Sequence, residues 1–104
     1  MIMLGEKVMS GMVKVRLLGI FGVAYGSKEA ELKIEGDVGL KEIIQKLTCA
    51  SKALKHVLID PDLESPLPNA VIIVNGKDIS VLNGLDTPIK NGDEILIIPA
   101  IHGG

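Results

Sequence analysis

The residues with the clearest chemical potential stand at the end of this sequence: Pro99, Ala100, Ile101, His102, Gly103 and Gly104. Because they lack Cβ atoms, Gly103 and Gly104 can pass through a narrow channel and adopt whatever backbone angles it requires. The carboxylate of Gly104 is also an unhindered α-carboxylate, which favours covalent chemistry at this group. The alternative is a glycine-rich chain end without a chemical role. We interpret residues 99–104 as a flexible tail that presents Gly104 to another protein.

The remaining candidates are one cysteine and two histidines. Cys49 has no partner for an intramolecular disulfide, which agrees with a reducing compartment. Together with His56 and His102 it falls short of a zinc site or an iron–sulfur cluster, so no metal is expected. We interpret Cys49 as a small apolar filler rather than a sulfur relay. His56 is interpreted as a surface residue, and His102 as a contact residue for a partner rather than a proton carrier.

The composition indicates one folded domain in a cytoplasmic protein. Of 104 residues, 47% are hydrophobic and only 2% aromatic, so Ile, Leu and Val must build the core. The net charge of −2, without a Lys/Arg cluster, argues against direct nucleic-acid binding. No apolar run reaches the ~18 residues of a membrane span, and the first residues lack the apolar region of a signal peptide.

The first half of the chain shows two strand patterns and then a helix pattern. Alternation predicts a strand from Val13 to about Phe21, a turn over Gly22–Lys28, and a second strand around Ala30–Ile34 that forms a hairpin with the first. Apolar residues spaced as one helix face follow Asp37, with a weak stretch at 48–51 where the helix can break. They are Leu40, Ile43, Ile44, Leu47, Leu54, Val57 and Leu58.

The second half predicts a three-proline loop over 60–68 and then further strands. Val71–Val74 precedes Asn75-Gly76, a strong hairpin signal, so Lys77–Val81 should return as a short strand. Gly84–Pro88 suggests a turn or a 3₁₀ helix, and the closing strand spans Glu94–Ile98. The order β-β-α-β-β-β predicts an α+β domain, with one main helix on a mixed sheet of four or five strands. Residues 1–11 are interpreted as a loose extension, residues 12–98 as the domain.

This order, together with the C-terminal Gly103-Gly104, resembles the β-grasp, ubiquitin-like sulfur carriers. They include the small subunit of molybdopterin synthase, the thiamine sulfur carrier, the eukaryotic ubiquitin-related modifier and the archaeal small modifier proteins. The resemblance covers residues 12–104 and is carried by Val13–Gly22, Val71–Asp78, Leu85–Pro88 and the stretch from Asn91 through Gly104. The Ile-His-Gly-Gly ending looks like the ubiquitin-related modifier, whereas Pro99 looks like the molybdopterin synthase subunit.

The resemblance implies a carrier or co-substrate rather than an enzyme. A ubiquitin-activating-type adenylyltransferase would use ATP to adenylate the carboxylate of Gly104, and sulfur transfer would then form a thiocarboxylate. No cofactor would be bound by the chain itself. The favoured acceptor is the molybdopterin precursor, with the large subunit of molybdopterin synthase as a further partner. Thiazole, a tRNA base or a protein lysine remain as alternative acceptors.

The resemblance also implies docking through the open face of the sheet. If Glu94 faces solvent, Leu96 and Ile98 share its face while Ile95 and Ile97 point to the helix. Together with Ile73, Leu96 and Ile98 would then form an exposed apolar patch. The partner-binding prediction comprises Ile73, Leu96, Ile98, Pro99, Ile101 and His102. The alternative is that these side chains are core residues of a sheet covered on both faces.

Three hypotheses therefore stand side by side. The first is a sulfur carrier that acts through a Gly104 thiocarboxylate. The second is a protein modifier that forms isopeptide bonds to lysines through the same end, and the two are compatible. The third is a non-covalent interaction module in which the two glycines are incidental.

Overall fold

The computed structural model describes residues 10–101. In that range the chain forms seven strands, three α-helices and two 3₁₀ helices. In chain order the elements are β1 (Ser10–Leu17), α1 (Ile20–Tyr25), β2 (Glu29–Glu35), β3 (Val38–Gly39), α2 (Leu40–Ala50), α3 (Lys52–Leu58), β4 (Ala70–Val74), β5 (Lys77–Asp78), 3₁₀ helices at Ile79–Val81 and Gly84–Asp86, β6 (Pro88–Ile89) and β7 (Glu94–Pro99).

The main sheet has five strands in the order β2-β1-β7-β4-β5. The central pair, β1 and β7, is parallel, and every other neighbouring pair is antiparallel. A separate two-stranded sheet joins β3 to β6. The predicted hairpin of β1 and β2 is present, and its register begins with Ser10 opposite Glu35, so the sheet includes the last two residues of the predicted extension. The α+β prediction of a mixed sheet is confirmed.

The core lies between one face of this sheet and the helices. Alternation in the strands turns every second side chain toward the helices, and α2 and α3 supply the opposing apolar face. The most deeply buried members are Val13, Val15, Leu17, Leu40, Ile43, Leu47, Leu54, Leu58, Ile72, Ile95 and Ile97. As the composition predicts, aliphatic side chains dominate, with Phe21 as the one buried aromatic of the described part of the chain.

The predicted main helix is two helices that meet at Ser51. The backbone of Ser51 is extended, with φ −143° and ψ 109°, so the helix is interrupted there. Its hydroxyl accepts a hydrogen bond from the backbone N–H of Leu54 at 3.1 Å and caps α3. A serine cap satisfies an N–H that the first helical turn leaves without a partner. The break expected over 48–51 is therefore confirmed.

Helix α1 was not predicted, and the first strand is shorter than its alternation suggested. The strand ends at Leu17, and Gly19 turns the chain with φ +56° and ψ −134°, a conformation that favours glycine. Phe21, predicted as the last strand residue, instead lies in α1 and is buried in the core. The turn prediction over Gly22–Lys28 is correct only from Gly26 onward.

The return strand predicted over Lys77–Val81 is shorter in the structure, where β5 contains only Lys77 and Asp78. The Asp78 carboxylate accepts a hydrogen bond from the backbone N–H of Ser80 at 2.8 Å, which begins a 3₁₀ helix in place of further strand. The 3₁₀ alternative for the Gly84–Pro88 stretch is confirmed at Gly84–Asp86.

Candidate functional site

One face of the five-stranded sheet carries no helix of the described chain, and we call it the open face. On this face the pairing of β4 with β7 places Ile73 opposite Leu96 and Val71 opposite Ile98. Leu18 continues the outward side of β1, and its backbone N–H donates to the carbonyl of Ile97 at 3.0 Å. Directly opposed side chains on one face of a sheet contact each other. These five residues form one surface, the apolar patch: Leu18, Val71, Ile73, Leu96 and Ile98.

The burial of the strands distinguishes the two faces of the sheet. Ile95 and Ile97 are 1% and 0% exposed, whereas Leu96 and Ile98 are only half-buried. Val71 is 37% exposed and Leu18 is 39% exposed. The alternative of a core covered on both sides does not fit the described residues. A contiguous exposed apolar surface of this kind is typical of a site for protein contacts.

Charged side chains border the apolar patch on the side of β1 and β2. Arg16 lies opposite Leu96, and its Nε donates to Oε2 of Glu29 at 3.2 Å. Both side chains of this pair are about half exposed, so the pair contributes little to stability, about 0–1 kcal/mol. A shallow depression of about 200 Å³ lies between Arg16, Ile73, Glu94 and Leu96. An apolar centre with a charged margin is the usual anatomy of a protein interface.

The end of β7 is where the chain leaves the sheet. Pro99 lies opposite Ala70, and the backbone N–H of Ala100 donates to the carbonyl of Asn69 at 2.9 Å. In an antiparallel ladder, hydrogen-bonded pairs alternate with pairs that exchange no hydrogen bonds. Pro99 occupies one of the latter positions, so its missing N–H removes no bond to β4. Beyond Ala100 the side chain of Ile101 is 93% exposed.

The beginning of β7 is held by a side-chain network. Asn75 donates from Nδ2 to Oδ1 of Asp93 at 2.9 Å and accepts from the backbone N–H of Glu94, also at 2.9 Å. The other carboxylate oxygen of Asp93 accepts from the backbone N–H of Lys90 at 2.7 Å. These bonds connect the β4–β5 turn to the turn before β7. They fix the strand that carries the apolar patch and the chain end.

The structure brings together part of the predicted site. Ile73, Leu96 and Ile98 share one surface, and Pro99 lies at its edge with Ile101 beyond it. His102, Gly103 and Gly104 lie outside the described residues, so their predicted roles stay predictions. Leu18 and Val71 also belong to the surface but were left out of the predicted set. The alternation that selected Ile73 and Leu96 indicates both, since each stands two residues from an outward position.

Elsewhere, Cys49 is exposed on α2, so its interpretation as a small apolar filler is wrong: it stands on the side of the helix that faces away from the core. It lines a groove of about 920 Å³ with residues such as Lys41, Lys55 and Pro61. This groove lies in the helical layer, on the other side of the sheet from the apolar patch. Within residues 10–101 no group of three His, Cys, Asp or Glu side chains is placed to hold a metal ion. No helix in the same range is long and apolar enough to cross a membrane.

Comparison with known proteins adds three findings. The model of the ThiS family matches residues 15–104. The sulfur carrier protein CysO of Mycobacterium tuberculosis is 32% identical over 77 residues, which cover 73% of this chain and 82% of CysO. Two solved structures have the same β-grasp fold. Small archaeal modifier protein 1 of Methanosarcina acetivorans has a TM-score of 0.75 and 32% identity, over 92% of this chain and 99% of the other. A chain of the Amycolatopsis orientalis BexX/CysO complex has a TM-score of 0.71 and 28% identity, over 88% and 99%.

Proposed function

The chain belongs to the ThiS family of β-grasp sulfur carriers, and from this premise we propose that it carries sulfur as a thiocarboxylate on Gly104. The single observation that supports this proposal best is the geometry at the end of β7. The chain leaves the sheet at Pro99, directly beside the apolar patch, and Ile101 is 93% exposed. A partner that covers the patch therefore meets the beginning of the tail at the same time.

The proposed chemistry takes place in two steps on a partner enzyme. In the first step a carboxylate oxygen of Gly104 attacks the α-phosphorus of ATP, and pyrophosphate leaves. In the second step a hydrosulfide-equivalent nucleophile attacks the acyl carbon, AMP leaves, and a thiocarboxylate forms. Adenylation supplies the leaving group that a free carboxylate lacks. The chain contributes no catalytic side chain to either step, so in this proposal it is a co-substrate and not an enzyme.

The proposed partner is a ubiquitin-activating-type adenylyltransferase in the cytoplasm. The apolar patch would dock on this enzyme, with Pro99, Ile101 and His102 contacting the entrance of its active site. Gly103 and Gly104 would occupy the narrowest part of the channel, where side chains do not fit. The relative in the BexX/CysO complex supports the expectation that such carriers bind partner proteins.

The proposed acceptor of the sulfur is the molybdopterin precursor, with the large subunit of molybdopterin synthase as the second partner. The support is the sequence resemblance to the molybdopterin synthase subunit at Pro99. Transfer to any of the proposed sulfur acceptors first requires the thiocarboxylate on Gly104. The carrier function is therefore tested before the identity of the acceptor.

The test is the intact mass of the untagged protein purified from its own host. The expected result is a species heavier by the difference between one sulfur and one oxygen. This species should disappear after thiol alkylation and should be absent from a chain that ends at His102. If the plain carboxylate remains the sole species after incubation with the adenylyltransferase, ATP and a sulfide source, the sulfur-carrier proposal is wrong. A non-covalent interaction module is then the better account.

A second candidate function is modification of protein lysines through Gly104. The observation that favours it is the 32% identity to a small archaeal modifier protein over 92% of this chain. The same acyl adenylate would be attacked by a lysine amine in place of the sulfur nucleophile. Conjugates of higher mass that resist reduction, and that are lost when Gly103 and Gly104 are deleted, would support this function. Their absence from host cells that contain the thiocarboxylate would contradict it.

A further inference from the structure

The base of the tail is attached to the rest of the protein through Asn69. Its backbone carbonyl accepts the hydrogen bond from the N–H of Ala100 at 2.9 Å. Its side-chain Nδ2 donates to the carbonyl of Leu58, the last residue of α3, at 3.1 Å. Its own backbone N–H donates to the carbonyl of Pro66 at 2.9 Å. One residue thus connects the beginning of the tail to the end of a helix and to the preceding loop.

Within residues 10–101, the bond between Asn69 and Ala100 is the last that attaches the end of the chain to the sheet. Pro99 has no N–H, and its position in the ladder exchanges no bond with β4. Without the Ala100 bond, the nearest anchoring position on β7 is Ile98, which lies opposite Val71. The number of residues between the last hydrogen-bonded position and the end of the chain would then grow from four (101–104) to six (99–104).

On the other side of the tail base, Pro99 lies against the corner between β1 and α1. A Cβ atom added to Gly19 would lie 3.1 Å from Cγ of Pro99. The close approach limits movement of Pro99 toward α1, while Asn69 limits movement of Ala100 away from β4. The direction of the chain at Ala100 is therefore fixed from two sides.

We propose that Asn69 is a positioning residue for the activation of Gly104. This inference rests on the proposed function, because it concerns how the carboxylate reaches the adenylyltransferase. A tether of four residues beyond a fixed base reaches a smaller volume than a tether of six, and the effective concentration of a tethered group falls roughly as the −3/2 power of tether length. This dependence on tether length alone lowers the effective concentration of the Gly104 carboxylate about twofold. Loss of the fixed direction at Ala100 adds to it.

The experiment measures ATP–pyrophosphate exchange by the adenylyltransferase of the same host as a function of the concentration of the full 104-residue chain. Two variants loosen the tail base by different routes. Asn69→Ala removes the side-chain hydrogen bond to the carbonyl of Leu58. Ala100→Pro removes the backbone N–H that donates to the carbonyl of Asn69. We expect each variant to raise KM about two- to fivefold with kcat unchanged. The tail contributes to productive binding in this proposal, and not to the chemical step.

Matched controls separate positioning from general stability. Ala100→Ser keeps the N–H donor and should keep the KM of the unchanged chain. Asn91→Ala removes one side-chain bond, the one that Oδ1 of Asn91 accepts from the backbone N–H of Met12 at 2.9 Å, before the opposite end of β7 and away from the apolar patch. Thermal unfolding identifies an assay temperature at which every variant is folded. As an independent readout, hydrogen exchange at the Ala100 N–H should be faster in Asn69→Ala but not in Asn91→Ala.

The outcomes distinguish the two proposals. If the unchanged chain supports exchange but Asn69→Ala and Ala100→Pro keep its KM, the positioning role is wrong while the proposed function stands. If Asn91→Ala raises KM as much as Asn69→Ala, the effect is one of stability and the positioning role is also wrong. If the unchanged chain supports no exchange at all, the proposed function fails, and the inference about Asn69 fails with it.

Discussion

Leu96 of β7 lies directly opposite Ile73 of β4 and beside Arg16 of β1 on the open face of the sheet. Leu96 is thus at the centre of the three strands that form the middle of the sheet. Its neighbours along β7, Ile95 and Ile97, are fully buried on the other face. A change of the Leu96 side chain can therefore alter the apolar patch without altering the core.

Replacement of Leu96 by aspartate should weaken binding to the adenylyltransferase at least tenfold. Residues near the centre of an interface carry much of the binding energy, often more than about 2 kcal/mol each. A carboxylate at this position would also lose its hydration when a partner covers it. Isothermal titration calorimetry with the purified enzyme measures the change, and circular dichroism checks that the variant is folded.

Met12→Asp is the matched control for this prediction. Met12 is 47% exposed on β1, opposite Lys33 of β2 and outside the apolar patch. The Met12→Asp substitution introduces the same charge on the same face of the sheet. It should change the affinity for the adenylyltransferase by less than about twofold, as expected of residues away from an interface centre. Equal weakening by both variants would show that charge on the sheet, and not loss of the patch, governs binding.

The sheet and its faces could be predicted from sequence because strand alternation is a short-range signal. The alternation of β7 predicted which residues lie on each face, and the burial of Ile95 and Ile97 agrees with it. The same signal indicates Val71, which the continuous apolar run Val71–Val74 concealed. In sequence, a strand with apolar residues on both its buried and its exposed face cannot be distinguished from a strand that is buried on both faces.

The sequence could not predict α1 or the attachment of the tail. Helix α1 has six residues and includes Gly22, so neither its length nor its composition separates it from a turn. Its position depends on the backbone of Gly19 and on the burial of Phe21, which are properties of the folded chain. Asn69 is likewise a single polar residue after a proline-rich loop. Its role follows from contacts with Leu58 and Ala100, which are distant in sequence.

Gly19→Ala should destabilise the protein more than Gly84→Ala. Both glycines have a positive φ, +56° and +58°, and at Gly19 the ψ of −134° also takes the backbone outside the left-handed helical region, which adds strain for any residue with a side chain. At Gly84 an added Cβ meets open space, whereas at Gly19 it would lie 3.1 Å from Pro99. The difference between the free energies of unfolding, measured with urea, therefore reports the backbone strain at Gly19 together with the contact with Pro99. Equal values would contradict both the strained backbone at Gly19 and a close fit between Pro99 and the β1–α1 corner.

Asp78→Ala should destabilise the protein at pH 7 and have less effect in acid. The pKa of the Asp78 carboxyl group is lowered from its ordinary value of 3.8. The main cause is the hydrogen bond from the backbone N–H of Ser80, and the hydroxyl of Ser80 contributes in the same direction. A carboxyl group whose pKa is lower in the folded than in the unfolded state stabilises the fold above the unfolded pKa. This contribution disappears as the pH falls through the folded pKa. Urea unfolding at pH 7 and near pH 3 measures the change, and an equal loss at both pH values would contradict it.

Cys49→Ser should leave the yield of the Gly104 thiocarboxylate unchanged. A sulfur relay requires a thiol that can approach the acyl carbon, and Cys49 lies on α2, on the other side of the sheet from the apolar patch. Serine keeps nearly the same size at an exposed position, so the fold should be retained. Intact mass after incubation with the adenylyltransferase, ATP and sulfide measures the yield. A chain ending at His102 gives the zero level of the same assay. A loss of thiocarboxylate in Cys49→Ser with adenylation unaffected would show that sulfur reaches Gly104 through this thiol, and the groove beside Lys41 and Lys55 would then be a second contact site for the sulfur donor.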